Sequence, residues 1–188
     1  RGRYLLEPGR PDFLLRLRSA GYTSVERSSV ESRGNYAEAL DARLTPVTAA
    51  HTIQAALGGT LTTAAGDAVV LPAGTFAIDA TVSLTAISSQ GPVAAFPSGW
   101  TPLSIVSLEA PQGLPFSATL RLKDRSLAAA GRNAVVAYYD GASASWVALA
   151  QLVVPATGTL LEYSEFIRPG QFALLVADDG SGGPGVVM

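Results

Sequence analysis

Residues 58–88, GGTLTTAAGDAVVLPAGTFAIDATVSLTAIS, decide the fold. Leu61 stands between threonines in a short strand, and Gly66-Asp67 turns the chain. Ala68-Val69-Val70-Leu71 is a second, apolar strand, stopped by Pro72 because a proline has no N–H to give to a ladder. From Ala80 the alternation is strict, with Val82, Leu84 and Ala86 on one face and Thr81, Ser83 and Thr85 on the other. Successive strand side chains point to opposite faces, so this pattern predicts a strand with one buried side. Nothing in the stretch is chemical. It speaks of architecture.

The same period of two runs on through the chain. Residues 89–102 are dense in Pro and Gly and read as a long loop. Leu103 to Leu108 is strand-like, Glu109 to Gly113 a turn, and Ser117 to Lys123 a strand with Ala118, Leu120 and Leu122 inward. Asp124 to Arg132 reads as a short helix or loop. Ala134–Tyr139 and Trp146–Val154 make a hairpin around Asp140-Gly141, and Thr159–Phe166 with Gln171–Val176 make another around Arg168-Pro169-Gly170. Short strands at this spacing predict an all-β protein, an antiparallel β-sandwich over residues 58–177. Residues 178–188 read as a flexible Gly/Pro-rich tail, and 47–57 as a linker, either a helical turn or extended. Residues 1–46 form a strand meander in which Phe13, Leu15 and Leu17 share an apolar face that must be covered.

Composition bounds the function. Charged residues make up 15% of the chain, against roughly 25% in ordinary soluble domains, so Ser, Thr, Ala and Gly must finish the surface. The net charge is −2, and the basic stripe that a nucleic-acid partner requires is missing. Residues 1–46 hold 8 Arg against 6 acids while the remainder is acidic, a split that suits two modules of different origin or nothing in particular. There is no Cys, which removes disulfides, thiol catalysis and Cys-ligated zinc. No apolar run reaches the ~18 residues of a membrane span. The chain opens on Arg1 and closes on a Gly-rich run, and is expected to be a segment of something longer.

Two resemblances follow from ordered landmarks. Gly2-Arg3-Tyr4, Pro8-Gly9, Ala20-Gly21-Tyr22 and Leu44-Thr45-Pro46 resemble the closing half of a carboxypeptidase regulatory-like (transthyretin-like) sandwich, without its opening strands. Gly58-Gly59-Thr60-Leu61, Leu71-Pro72-Ala73-Gly74, Val82-Ser83-Leu84, Gly113-Leu114-Pro115-Phe116, Tyr138-Tyr139-Asp140, Trp146-Val147 and Phe172–Val176 resemble a ZU-five-like β-sandwich of bacterial surface proteins. With Gly99-Trp100-Thr101-Pro102-Leu103, the second set is closer still to the plug module that precedes YD-repeat (Rhs-like) shells. There, and in the related teneurins, a transthyretin-like domain directly precedes the plug. The resemblance implies a partial transthyretin-like segment over 1–46 and a plug-like sandwich over 58–177, in a secreted or cell-surface bacterial protein. Some relatives self-cleave at His-Phe-Ser, but Ser164-Glu165-Phe166-Ile167 has neither the His nor the Ser, so that activity is not implied.

Candidate chemistry is sparse. A serine nucleophile needs a base within reach, and His51 is the single histidine, placed in the expected linker. Glu162 and Glu165 read as surface groups, and Asp178-Asp179 as a solvated tail whose two acids fall short of a calcium ligand set. No catalytic residue, cofactor or metal is expected. Trp100, Tyr138, Tyr139 and Trp146 are the candidate interaction surface, stacking on a sugar or partner. The competing reading puts Trp146 and one tyrosine in the core and uses Trp100 to pin the Pro/Gly loop; adjacent Tyr138 and Tyr139 must face opposite ways in a strand. The expected function is a non-catalytic structural module that plugs or caps a YD-repeat shell. Its partners are other domains of the parent protein or another chain joined by strand pairing. The alternatives are a carbohydrate- or cell-surface-binding module and a subunit of an extracellular fibre or adhesin.

Overall fold

Alternation of period two becomes strands throughout the described residues, with no helix among them. The structure, a computed structural model, describes residues 14–31, 37–39, 42–111, 115–124, 131–155 and 160–178. In chain order the strands begin with β1 (Leu14–Leu17), β2 (Val25–Glu31), β3 (Ala37–Ala39) and β4 (His51–Ile53). Then come β5 (Gly59–Thr62), β6 (Ala68–Leu71), β7 (Ala80–Ala86), β8 (Trp100–Glu109) and β9 (Phe116–Lys123). The last four are β10 (Asn133–Asp140), β11 (Ser145–Val153), β12 (Leu160–Ile167) and β13 (Gly170–Ala177).

They form three antiparallel sheets. The largest has the order β11-β10-β13-β8-β7-β4, the second β12-β9-β6-β5, and a small front sheet β1-β2-β3. The first two pack face to face through an apolar core. Val82, Leu84, Val106, Leu108, Phe172, Leu174 and Val176 come from the six-stranded sheet; Leu61, Val69, Leu71, Leu120, Leu122, Leu161 and Ile167 come from the four-stranded one. Each large side chain fully covered there contributes about 1.5–3 kcal/mol. Gly58, in the turn that leads into β5, has φ of +67°, and an added Cβ would stand 2.2 Å from the Leu71 carbonyl oxygen. Only glycine fits that turn.

Strand β7 departs from the expectation of one buried side. Ser83 and Thr85 are as buried as Val82 and Leu84. The six-stranded sheet is covered on its second face too, by a smaller apolar cluster of Ile87, Val93, Ile105, Ala137, Tyr139, Trp146, Ala173 and Leu175. The 87–96 segment and the front sheet supply this cover. Strand β13, at the middle of the sheet, is therefore buried from Gln171 to Ala177, which explains its unbroken apolar run.

Other expectations change in register and connection. The expected linker at 47–57 supplies β4, whose His51, Thr52 and Ile53 pair with Val82, Thr81 and Ala80. Trp100-Thr101-Pro102, expected as loop, opens β8. Pro102 is tolerated because a register shift bulges the strand there and the β7 pairing ends at Val106, leaving no ladder partner for its missing N–H. The expected hairpin of 159–166 with 171–176 is not one. Strand β12 pairs with β9 and β13 pairs with β10 and β8, so Arg168-Pro169 carries the chain from one sheet to the other. The hairpin of β10 and β11 forms as expected, with Leu149 as an extra bulged residue. In the front, Leu15 and Leu17 are half-buried on β1, and the described residues of the Tyr36–Leu44 stretch, 37–39 and 42–44, include the strand Ala37–Ala39. The expected strand at Arg3–Leu6, residue Phe13, most of the Asp124–Arg132 segment and the tail after Asp178 lie outside the described residues.

Candidate interaction surface

The four aromatic residues singled out in the sequence do not share one surface. Strand parity sends Tyr138 and Tyr139 to opposite faces of β10. Tyr138 packs against the inner core, its ring 5.1 Å from that of Phe172, and its hydroxyl donates to the Pro169 carbonyl at 3.1 Å. Burial pushes its phenol above the ordinary range, with Arg168 acting the other way and Asp140 adding to it. Tyr139 and Trp146 are buried in the outer cluster, 5.6 Å apart edge to face. Trp146 also stacks at 4.7 Å on Phe96, and its indole N–H donates to the Ala94 carbonyl at 3.3 Å. Trp100 packs, half-buried, against the same cluster.

Around Tyr139 lies a polar arrangement that ties the front sheet to the sandwich. Its hydroxyl donates to Glu26 Oε2 at 2.7 Å, and Glu26 Oε1 pairs with Arg16 on the neighbouring strand. Burial first, then this hydrogen bond and the charge of Glu26, hold the Tyr139 phenol well above its ordinary range. Arg27, next to Glu26, donates to the carbonyls of Glu26 and Pro92 at 2.7 and 3.0 Å and of Gln90 at 3.3 Å. Burial lowers its pKa, yet guanidinium stays protonated at any ordinary pH. The Glu26 amide bonds the Val93 carbonyl, and Gln171 Oε1 on β13 accepts from the Val93 amide at 2.7 Å. The segment 90–93 is thus held from both sides. Both faces of β1 and β2 take part: Glu26 lies on the face of Arg16, while buried Val25 and Arg27 share the other face with half-buried Leu15 and Leu17.

A second buried polar group was read in the sequence as an ordinary turn residue. Asp67 is fully buried; its Oδ1 accepts from Ser104 Oγ at 2.6 Å and the Lys123 amide at 2.9 Å, and Oδ2 accepts from Thr63 Oγ1 at 3.3 Å. It pins the β5–β6 turn to β8 and β9. No side-chain polar atom buried among the described residues lacks a partner, and no group of three or more His, Asp or Glu among them could hold a metal ion. His51 is exposed on β4. Asp178 Oδ1 accepts from Thr101 Oγ1 at 2.6 Å, and Glu162 pairs with Arg121.

What the outside offers is sheet edge and apolar loop. Among the described residues β11 and β12 each have one neighbouring strand. Strand β12 carries Glu162 and Glu165, both exposed; β11 carries no charge and exposes Val147, Leu149 and Val153. At one end of the sandwich Leu57, Ile78 and Phe166 are each more than 70% exposed. The turn holding Leu57 is bonded to the loop holding Ile78 through Ala55, whose amide donates to Asp79 and whose carbonyl accepts from Gly74. Sequence reasoning passed over both features, since an isolated apolar residue in a loop or strand is ordinary. Compared with known families and curated proteins, the chain matches no family model and no curated sequence.

Proposed function

We propose that this chain is a non-catalytic structural and interaction module of a large secreted or surface bacterial protein, one that plugs or caps a YD-repeat shell. The observation that carries the reading is the polar tie between front sheet and sandwich. Glu26, Arg27 and Gln171 join two segments of different resemblance into one body, and a plug must keep its shape while neighbouring domains press on it. Tyr139 and Trp146, which a sugar platform would need at the surface, serve that tie instead. The resemblance of 1–46 to a transthyretin-like segment, followed by a plug-like sandwich, supports the same reading; fold likeness alone would not give function. The non-catalytic part rests on the sequence, which has no Cys and a single His. The alternative of a fibre or adhesin subunit is favoured by one observation, the uncharged strand β11 at the side of its sheet among the described residues.

The test is association with the repeat segment of the parent protein. Co-expressed with tandem YD repeats encoded downstream, the chain should co-purify with them and occupy one mouth of the shell in electron cryomicroscopy. A stop codon after Met188, adhesin repeats in place of YD motifs, or saturable glycan binding without shell association would sink the reading.

A further inference from the structure

We propose that Tyr139 is a redox site, a trap for oxidising equivalents that reach the tryptophans of the outer cluster, with Glu26 as the base that takes its proton. A neutral phenol does not give up an electron alone, because the radical cation left behind is a strong acid. The proton must leave with the electron, so a base has to stand within hydrogen-bond reach of the hydroxyl. Glu26 Oε2 stands 2.7 Å from the Tyr139 hydroxyl and accepts its hydrogen bond. An electron acceptor must lie close on the other side, and the Trp146 ring is 5.6 Å away, edge to face. Tyr139, Trp146 and Glu26 are all buried, so the carboxylate rather than bulk water is the base at hand.

The next residue on the strand is a control built into the fold. Tyr138 also lies beside a ring, 5.1 Å from Phe172, but its hydroxyl donates to the Pro169 carbonyl, an oxygen that takes no proton. The Trp146 indole N–H donates to a carbonyl as well, that of Ala94 at 3.3 Å, so an oxidised Trp146 has no base beside it and keeps its proton. Trp100, half-buried against the same cluster, is the tryptophan that an oxidant meets first. At neutral pH the indole radical is the stronger oxidant of the two, so transfer runs toward tyrosine. The step balances. One electron passes from Tyr139 to the Trp146 radical cation, the phenolic O–H bond breaks, and the proton moves to Glu26 Oε2. Tryptophan is restored with its N–H, a neutral tyrosyl radical remains, and the carboxylate becomes a carboxylic acid that donates back to the radical oxygen. The tie between front sheet and sandwich thus stays closed while the oxidising equivalent is held. The co-reactant is any one-electron oxidant of indole, and the inference stands whether or not the parent is a YD-repeat protein.

Pulse radiolysis of the whole chain with azide radical, a one-electron oxidant of tryptophan, tests it. The indole and tyrosyl radicals are followed by their separate absorption bands. In wild type the indole radical should decay as the tyrosyl radical appears, at a rate independent of protein concentration. Tyr139→Phe should lose that tyrosyl signal and leave the indole radical longer-lived. Glu26→Gln, which keeps an acceptor but not a base, should slow the transfer at least about tenfold. Tyr138→Phe should change neither signal. Where Tyr139→Phe or Glu26→Gln fails to fold by circular dichroism, Trp146→Phe removes the indole beside Tyr139 and should slow the tyrosyl signal at least as much. A wild-type indole radical that yields no tyrosyl radical, a tyrosyl signal undiminished in Tyr139→Phe, a rate unchanged in Glu26→Gln or in Trp146→Phe, or a signal lost in Tyr138→Phe would each overturn the proposal.

Discussion

The two faces of the six-stranded sheet are covered in different ways. The inner face meets the four-stranded sheet through aliphatic and aromatic side chains supplied by alternating positions of neighbouring strands. The outer face meets a smaller apolar cluster, and what finishes that contact is directional: Glu26 under the Tyr139 hydroxyl, Arg27 on four backbone carbonyls, Gln171 on the Val93 amide. An apolar contact tolerates any partner of similar volume, whereas a buried hydrogen-bonded group tolerates only the partner that completes it. The inner layer therefore holds the fold together, and the outer layer fixes which segment may lie upon it. The two layers should fail separately.

The largest effect is expected inside. Leu120→Ala, at a fully buried position between the sheets, should cost about 2–5 kcal/mol, as a removed side chain leaves a cavity that neighbours fill only in part. Urea unfolding followed by far-UV circular dichroism would read the loss over the whole molecule. Retained stability would mean that the inner core is not what carries the fold.

A middle effect is expected outside. Glu26→Ala leaves the Tyr139 hydroxyl without its acceptor and Arg16 without its carboxylate, a loss of about 1–3 kcal/mol. It should be local. Both tryptophans lie in or against the outer cluster, so their fluorescence reports that layer while circular dichroism reports the sheets. The variant should shift tryptophan emission at lower urea than the dichroism transition, and the amides of Val25–Ser28 should exchange hydrogen faster with β13 unaffected. Coincident transitions and equal exchange would erase the distinction between the layers.

The same contrast explains what could be read from the chain. Strands β5, β6, β7, β9, β10 and β11 follow from alternation and turn residues alone, and so does the opposite facing of Tyr138 and Tyr139. These signals are local. The outer tie is not: Glu26 reaches Tyr139 across 113 positions, and Gln171 reaches Val93 across 78. Polar residues in a strand look alike whether they face water or a buried partner, so alternation alone assigns Ser83 and Thr85 to solvent. Asp67 was hidden for the same reason, as an Asp after a Gly is ordinary turn chemistry. The β12–β13 connection misled because adjacent strands usually pair, and nothing in Arg168-Pro169-Gly170 marks a change of sheet.

The smallest expected effect lies in alkaline solution and concerns a single group of the outer layer. Burial, the hydrogen bond to Glu26 and that residue's charge all hold the Tyr139 phenol protonated in the folded chain, with Arg16 acting weakly against them. In the unfolded chain it ionises near pH ~10, as any tyrosine does. Its folded-state pKa is therefore raised, and its contribution is complete below about pH 10. Above that, unfolding releases a proton and stability falls as the pH rises. One group can contribute at most about 1.4 kcal/mol per pH unit, and screening at the edge of the cluster keeps the slope below that limit. Tyr138 and Tyr163 are shifted upward by burial as well, so the wild-type slope is not due to Tyr139 alone. The difference between wild type and Tyr139→Phe removes their share. Urea midpoints measured from neutral pH to pH ~11 should show the variant less stable below pH ~10 and the gap narrowing above it. A gap constant with pH would mean that the Tyr139 phenol is neither buried in the outer cluster nor bonded to Glu26 in solution.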